Sequence, residues 1–185
     1  IAFCGLSDSG IHDIGQLAYG LMKPTAGSVI LATDSGNVDV DNPRIALNNK
    51  MAYVPKDRDG EAMLMKSTIE QNTVLPSIEQ IKGKMGLLKS SDLSRLAEQA
   101  KEDFRVKCTG IKQKVNALSG GNKQKINLGR WMIKDLKVMI VDCPTRGVDV
   151  GVKAYIYECL RETKKQGIAT VMITDELSEA MGMAD

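Results

Sequence analysis

Residues 118–125 read Leu-Ser-Gly-Gly-Asn-Lys-Gln-Lys. Ser119 ahead of two glycines, at the start of a helical pattern, leaves backbone N–H groups uncovered, and the first N–H groups of a helix have no partners within it. The helix dipole adds about half a positive charge at this end. The stretch therefore predicts a site for phosphate or another anion. The alternative is an ordinary helix N-cap at Ser119.

A short apolar strand that ends in an acid follows at residues 138–142, Val-Met-Ile-Val-Asp. It leads into residues 143–151, Cys-Pro-Thr-Arg-Gly-Val-Asp-Val-Gly. Together the stretches resemble the signature motif, the Walker B strand and the D-loop of ABC transporter ATPases. Three details are typical of one branch of this family: Asn122 after the glycines, the Pro-Thr-Arg-Gly pattern and Lys153. In them the chain resembles the second ATP-binding domain of the two-domain ATPases that energise ribose, galactose and xylose importers.

Short apolar runs alternate with helix-period segments, which predicts an α/β fold with a mostly parallel sheet flanked by helices. The predicted strands are 1–4, 29–32, 51–54 and 167–173, with a turn-rich Asp/Asn/Gly stretch before 51. The resemblance implies a P-loop NTPase-like ABC ATPase architecture with an inserted helical subdomain. We expect a core at 1–66 with Walker A and Q-loop, a helical subdomain at 67–117, and a core at 118–185 with signature, Walker B, D-loop and switch region. Because the family would continue past both ends, we expect a fragment of a longer polypeptide.

Helices are predicted from apolar stripes at helical spacing. One stripe, ended by residues 23–27, comprises Ile14, Leu17, Ala18 and Leu21. Another, behind a Ser91 cap, comprises Leu93, Leu96, Ala97, Ala100 and Phe104. A third comprises Val152, Tyr155, Ile156, Cys159 and Leu160, and Gly167 is predicted to close its helix as a left-handed C-cap.

Composition narrows the function classes. The chain has 185 residues, 43% of them hydrophobic, with a formal net charge of +2. No apolar run approaches the roughly 20 residues of a membrane-spanning helix, and no signal peptide precedes the first strand, so we expect a soluble domain. The near-neutral charge and few aromatic residues do not indicate nucleic-acid binding. The scattered cysteines and single histidine predict reduced thiols and no zinc site; they are Cys4, Cys108, Cys143 and Cys159.

A Gly-x-x-x-x-Gly spacing after the first strand places residues 5–10 as the Walker A loop. Ile11 stands where a lysine would reach the β- and γ-phosphates, and His12 stands where a hydroxyl would bind magnesium. Asp8 adds a carboxylate that would repel phosphate. His12 is not expected to bind a metal, because no second ligand is apparent beside it in the sequence. The candidate loop residues are Gly5, Ser7, Ser9, Gly10, Ile11 and His12.

Three further positions that the resemblance marks as catalytic are replaced. Cys143 follows the Walker B aspartate, where a glutamate would polarise water, so general-base catalysis is expected to be lost. Lys56, in Tyr-Val-Pro-Lys-Asp-Arg, stands at the Q-loop glutamine or glutamate. Asp175 stands at the switch histidine and would oppose the γ-phosphate. Asp142 remains as the expected Mg²⁺ ligand.

The resemblance implies that two such domains pair head to tail, with each ATP between the Walker A loop of one and the signature of the other. We therefore expect a catalytically degenerate domain that completes a partner's site, binding ATP and Mg²⁺ weakly or not at all in its own. The residues expected at the partner's ATP are Ser119, Gly120, Gly121 and Asn122, with Gln124 supporting the loop and Asp149 crossing the interface.

The expected partners are the first ATP-binding domain of the same or a paired chain and membrane permease subunits, met by residues 56–65. The chain would then lie on the cytoplasmic face of the membrane. Open alternatives are a nucleoside-type importer ATPase, a regulatory pseudo-ATPase and an ABC protein of repair or translation. That last class would show a long hinge or coiled coil in the insertion, and none is seen. The transported solute cannot be read from these residues.

Overall fold

The computed structural model describes residues 1–83 and 86–184. These residues divide into two compact units, one made of 1–56, 136–144 and 157–184, the other of 57–135 and 145–156. The predicted helical range 67–117 includes Lys84 and Met85, and the predicted range 118–185 ends at Asp185; all three lie outside the described residues.

The first unit is built on a four-stranded parallel sheet of β1 (Ala2–Cys4), β4 (Met51–Val54), β5 (Val138–Asp142) and β6 (Ala169–Thr174). The strands lie in the order β1-β6-β5-β4. Every residue of β4 is buried, as expected for a strand covered on both faces. The α/β prediction is confirmed. Because the strands are parallel, the loops that follow β1, β4, β5 and β6 all leave from one edge of the sheet.

A separate hairpin pairs β2 (Ile30–Thr33) with β3 (Gly36–Asp39) in antiparallel register. The sequence predicted a strand at 29–32 but assigned the following residues to turns, so the prediction of a turn over 36–39 was wrong. The Thr33 hydroxyl donates to the Gly36 carbonyl at 2.7 Å, and Gly36 adopts φ 123°. This tight turn reverses the chain, and the second strand then pairs with the first despite its polar composition.

Helix α1 (Ile11–Ala18) is shorter than its apolar stripe predicted. Gly20 takes a left-handed φ of 77° two residues after its end, and Leu21 is 51% exposed, so including Leu21 in the stripe was wrong. A Cβ on Gly15 would lie 2.7 Å from the Ile173 Cδ1 atom, which shows how closely α1 packs on the sheet. The unit also contains α2 (Pro43–Asn48) and α8 (Leu177–Met183).

The second unit is helical and contains α3 (Ile69–Val74), α4 (Ile78–Ile81), α5 (Ser90–Asp103) and α6 (Gly120–Met132). Helix α7 (Val150–Lys165) begins in this unit and ends in the first. The predicted Ser91 cap of α5 was wrong: Lys89 precedes the helix, which begins at Ser90 without a side-chain cap. Gly167 has φ 79°, so the predicted left-handed residue after α7 is confirmed.

One buried amide anchors the segment that precedes α3. Asn72 is fully buried, and its Oδ1 accepts from the Leu64 N–H at 2.8 Å. Its Nδ2 donates to the carbonyls of Leu64 and Thr68, both at 3.0 Å. Asn72 thus fixes the path of the chain between β4 and α3, where residues 58–62 form a single π-helical turn.

None of the helices within the described residues is long and apolar enough to span a bilayer.

Candidate functional site

A chain of polar contacts lies at the edge of the first sheet where its strands end. His12, in the first turn of α1, places Nδ1 2.7 Å from Oδ1 of Asp142, the last residue of β5. Lys56 follows β4 and places Nζ 2.8 Å from the other ring nitrogen, Nε2 of His12. An ammonium can only donate, so Nε2 accepts and the Nδ1–H donates to Asp142. One imidazole therefore connects a lysine to a buried carboxylate.

The other predicted positions of this unit join the same network. Lys56 Nζ donates to Ser7 Oγ at 3.3 Å, and Ser7 Oγ donates to Asp175 Oδ2 at 3.4 Å. The Cys143 thiol faces the other oxygen of Asp175, with Sγ 3.9 Å from Oδ1. The residues at the three replaced catalytic positions, together with the loop after β1, thus contact one another although they are distant in sequence.

Burial dominates the electrostatics of this network. It raises the pKa of Asp142 despite the opposing hydrogen bond from His12. It also raises the pKa of Cys143 to about 12, with further increases from the neighbouring charges of Asp142 and Asp175. Cys143 therefore remains a protonated thiol near neutral pH, and this agrees with the interpretation that it does not serve as a general base.

The loop after β1 is folded onto itself. Ser9 donates its hydroxyl to the Leu6 carbonyl at 2.6 Å, and Gly10 adopts a left-handed φ of 81° ahead of α1. A Cβ placed on Gly5 would lie 2.8 Å from Ser9 Oγ and 3.0 Å from Ile11 Cγ2. The side chains of Ser9 and Ile11 thus lie against Gly5, while Asp8 is exposed.

The donor atoms of this cluster do not fit Mg²⁺. That ion requires octahedral geometry and takes oxygen ligands, usually carboxylates, water and phosphate. The atoms that converge here belong to an imidazole, a thiol and a carboxylate, namely His12, Cys143 and Asp142. Oδ1 of Asp142 already accepts from His12, so the one hard ligand is partly satisfied.

A second group of predicted residues lies at the start of α6. Ser119 is the N-cap, and its Oγ accepts from Asn122 Nδ2 at 3.0 Å. Asn122 Oδ1 accepts in turn from the Lys107 N–H at 2.8 Å, and Gln124 is buried. The structure therefore shows the N-cap interpretation of Ser119, with Gly120 partly exposed and Gly121 buried, and the anion site stays a prediction.

The glycines of this segment are required by packing as well. A Cβ on Gly121 would lie 2.8 Å from Val152 Cγ2, and one on Gly120 would lie 3.3 Å from the Gly147 carbonyl. Asp149 accepts from the Val152 N–H at 3.0 Å and so fixes the start of α7. Residues 147–152 therefore pack directly against the glycine pair within this unit.

Arg58 is a neighbour of this glycine pair that the sequence did not single out. Its Nη1 donates to the Arg146 carbonyl at 3.3 Å, and its Nη2 would lie 3.1 Å from a Cβ on Gly120. Nearby, Lys123 donates to Asp59 at 2.9 Å, and this bond lowers the pKa of Asp59. The one sequence feature that could have drawn attention to Arg58 was its position in the Tyr-Val-Pro-Lys-Asp-Arg segment. Nothing in that segment indicated its contact with residue 120.

Comparison with known proteins identifies the family. The model of the ABC transporter family matches residues 1–146. The chain is 32% identical to a putative ribose/galactose/methyl galactoside import ATP-binding protein of Agrobacterium fabrum, over all of this chain and 36% of that protein. It is 36% identical to the arabinose import ATP-binding protein AraG of Rhizobium meliloti, again over all of this chain and 36% of that protein. The chain thus spans about a third of the length of these relatives.

Solved structures show the same fold. The dimeric ATP-binding cassette MJ0796, in a post-hydrolysis state bound to ADP and Pi, matches with a TM-score of 0.78 at 19% identity, over 96% of this chain and 75% of that one. The ADP conformation of the cassette MJ1267 matches with a TM-score of 0.74, over 98% of this chain and 72% of that one. With a family match over most of its length and an ATP-binding-cassette fold, the chain belongs to the ABC transporter family.

Proposed function

We propose that this chain is an ATP-binding domain of an ABC-type sugar import ATPase, and that it supplies its signature segment to ATP held by a partner domain. The observation that carries the proposal is the contrast between its two candidate sites. In one, the chain's own side chains bond to one another where a nucleotide and Mg²⁺ would lie. In the other, a capped helix begins with two glycines.

Several features support a weakened nucleotide site after β1. Ile11 lies against Gly5 rather than offering a cation, and Asp8 brings negative charge to the loop. The carboxylate of Asp142 is already bonded to His12, and Asp175 adds a second carboxylate to the network. Phosphoryl transfer depends on positioned cations and donors, so this arrangement disfavours hydrolysis at the chain's own site.

The start of α6 supports the role toward a partner. Its thirteen residues give a full helix dipole, and Ser119 caps it without a bulky side chain over the N–H groups. The glycines at 120 and 121 let residues 147–152 pack against the helix start, and Gly120 stays partly exposed there. A γ-phosphate presented by another domain could therefore approach the backbone closely.

The names of the relatives support the transport role. They are import ATP-binding proteins for ribose, galactose, methyl galactoside and arabinose, which favours a sugar importer over a nucleoside importer. The dimeric cassette among the structural neighbours supports pairing with a second ATP-binding domain. We propose that permease subunits meet residues 56–65, where Leu64 is half exposed, at the cytoplasmic face of the membrane.

The proposal is tested by mixing this chain with a sugar-importer ATP-binding domain that still binds ATP but whose own signature segment is inactivated. Turnover is expected to rise when this chain is added, because its signature completes the ATP site of the other domain. Phosphate release per ATP site is the measurement. If adding this chain leaves turnover at the level of the partner domain alone, the chain does not complete the partner's ATP site. If turnover still rises after the signature segment of this chain is blocked, the result would instead support a regulatory pseudo-ATPase.

The isolated chain is expected to bind Mg-ATP weakly, with a dissociation constant in the high micromolar to millimolar range, about 4 to 6 kcal/mol of binding free energy. The reason is the missing lysine at Ile11 and the carboxylate at Asp8. Calorimetry measures the affinity. The combined variant Asp8→Gly, Ile11→Lys and His12→Ser serves as the comparison and should bind at least about tenfold tighter. Submicromolar affinity in the unaltered chain would contradict the proposal.

A further inference from the structure

Three donor atoms of different chemistry converge where β5 ends. One atom each from His12, Asp142 and Cys143 lie within 4.8 Å of one another. Asp142 and Cys143 are buried, and the His12 side chain is 14% exposed, which leaves a path from solvent. The sequence did not predict a metal site here because no second ligand lies near His12 in the chain. The fold places two candidate ligands beside it, so the reason for that expectation does not hold.

We propose that His12, Asp142 and Cys143 form a binding site for a zinc-type transition-metal ion, with the fourth coordination position open to water. Imidazole, thiolate and carboxylate are the ligands that Zn²⁺ takes in proteins. The softness of the thiolate selects such an ion over Mg²⁺ or Ca²⁺. This site depends neither on nucleotide nor on the role of the signature segment.

The present distances are close to those of a tetrahedral site. With metal–donor distances of about 2.0 to 2.3 Å, the donors of a tetrahedron lie roughly 3.3 to 3.7 Å apart. The Nδ1 of His12 and Oδ1 of Asp142, now 2.7 Å apart, would separate by about 0.7 Å to admit the ion. No pair of donors is more than 4.8 Å apart, so the widest pair would close by at most about 1 Å. Side-chain rotations supply shifts of this size without moving the strands.

The ligands are held by rigid elements. Asp142 is the last residue of β5, and the Cys143 N–H donates to the Ile173 carbonyl at 2.8 Å. Cys143 also has a left-handed φ of 45°, which a residue with a side chain rarely adopts. Strain of this kind concentrates at functional sites. His12 lies in the first turn of α1.

Metal binding rearranges the protons of the cluster. The ion replaces the thiol proton of Cys143, which passes to solvent, since coordination deprotonates a thiol. It also replaces the Nδ1 proton of His12, and the neutral ring then carries its proton on Nε2. Nε2 can no longer accept from Lys56, so the present 2.8 Å hydrogen bond breaks. Lys56 therefore opposes metal binding, both through this bond and through its charge.

The test titrates Co²⁺, as a spectroscopic substitute for Zn²⁺, into the reduced chain without nucleotide. A tetrahedral Co²⁺ spectrum with a thiolate charge-transfer band is expected, and added Zn²⁺ should abolish it. Cys143→Ser should remove the charge-transfer band. His12→Ala should weaken binding by more than about tenfold, and Lys56→Met should tighten it by roughly tenfold. Because His12 is the only histidine, ¹⁵N-histidine resonances report its coordination directly.

Cys108→Ser is the control for adventitious thiol binding, because Cys108 belongs to the other compact unit. It should leave the spectrum and the affinity unchanged. Circular dichroism checks that each variant keeps its fold. If Cys143→Ser fails to fold, His12→Ala still tests the proposal, because its site is partly exposed. A pale octahedral spectrum in the unaltered chain would overturn the proposal. So would a charge-transfer band that survives in folded Cys143→Ser, or a histidine spectrum indifferent to Zn²⁺.

Discussion

Ser119→Arg is expected to lower the ATP turnover of an assembly of this chain with an intact ATP-binding domain by at least about a hundredfold. Ser119 caps α6, and its small exposed side chain adds no bulk over the N–H groups at the helix start, where Gly120 is partly exposed and Gly121 is buried. An arginine at the cap would cover these groups, so the γ-phosphate of the partner's ATP could not approach them. Steady-state phosphate release from the assembled variant, compared with the unaltered assembly, is the measurement.

Ser90→Arg is the matched control. Ser90 is also an exposed serine in the second unit, and it begins α5 as Gly120 begins α6. This variant should retain full turnover, because no phosphate role is proposed for that helix start. Ser119→Ala, which removes the cap without adding bulk, should give an intermediate loss. If Ser119→Arg hydrolyses ATP at the unaltered rate in a confirmed assembly, the signature does not act on the partner's nucleotide.

Asn72→Ala is expected to lower the free energy of unfolding by about 2 to 3 kcal/mol. The change removes three hydrogen bonds from a fully buried amide, and the Leu64 N–H loses the acceptor it has in the structure. Because Asn72 fixes the path of residues 57–65, hydrogen exchange in this segment should also accelerate. Urea unfolding followed by circular dichroism gives the stability, and mass-resolved exchange gives the local effect.

Asn127→Ala provides the comparison at equal burial. Asn127 is also fully buried, in α6, but its amide has no hydrogen-bond partner among the described residues. Its removal should change the free energy of unfolding by no more than about 1 kcal/mol, because the cavity cost is offset by losing an unsatisfied polar group. Equal effects of the two substitutions would show that burial, rather than the hydrogen bonds to Leu64 and Thr68, determines the contribution of Asn72.

Local pattern was sufficient for much of the fold. The apolar run at 138–142 is a buried strand, and Gly167 is left-handed, because both depend on neighbours in sequence. Ser119 caps a helix for the same reason. The pattern was insufficient at 36–39, where polar residues form a strand only because a hairpin supplies their hydrogen-bond partners. The pattern also predicted too long a helix for α1, because a stripe of apolar residues does not show where a glycine turns the chain.

Sequence pattern was enough to identify the family, the alternation of strands and helices in an α/β fold, and the substitutions at Ile11, His12, Lys56, Cys143 and Asp175. It could not show that His12 lies 2.7 Å from Asp142 and 2.8 Å from Lys56. Those contacts join residues separated by 130 and 44 positions, and they exist because parallel strands end at one edge of the sheet. Only the folding of the chain therefore brings a lone histidine beside a buried carboxylate and a thiol. Separation along the chain carries no information about which loops a parallel sheet brings together.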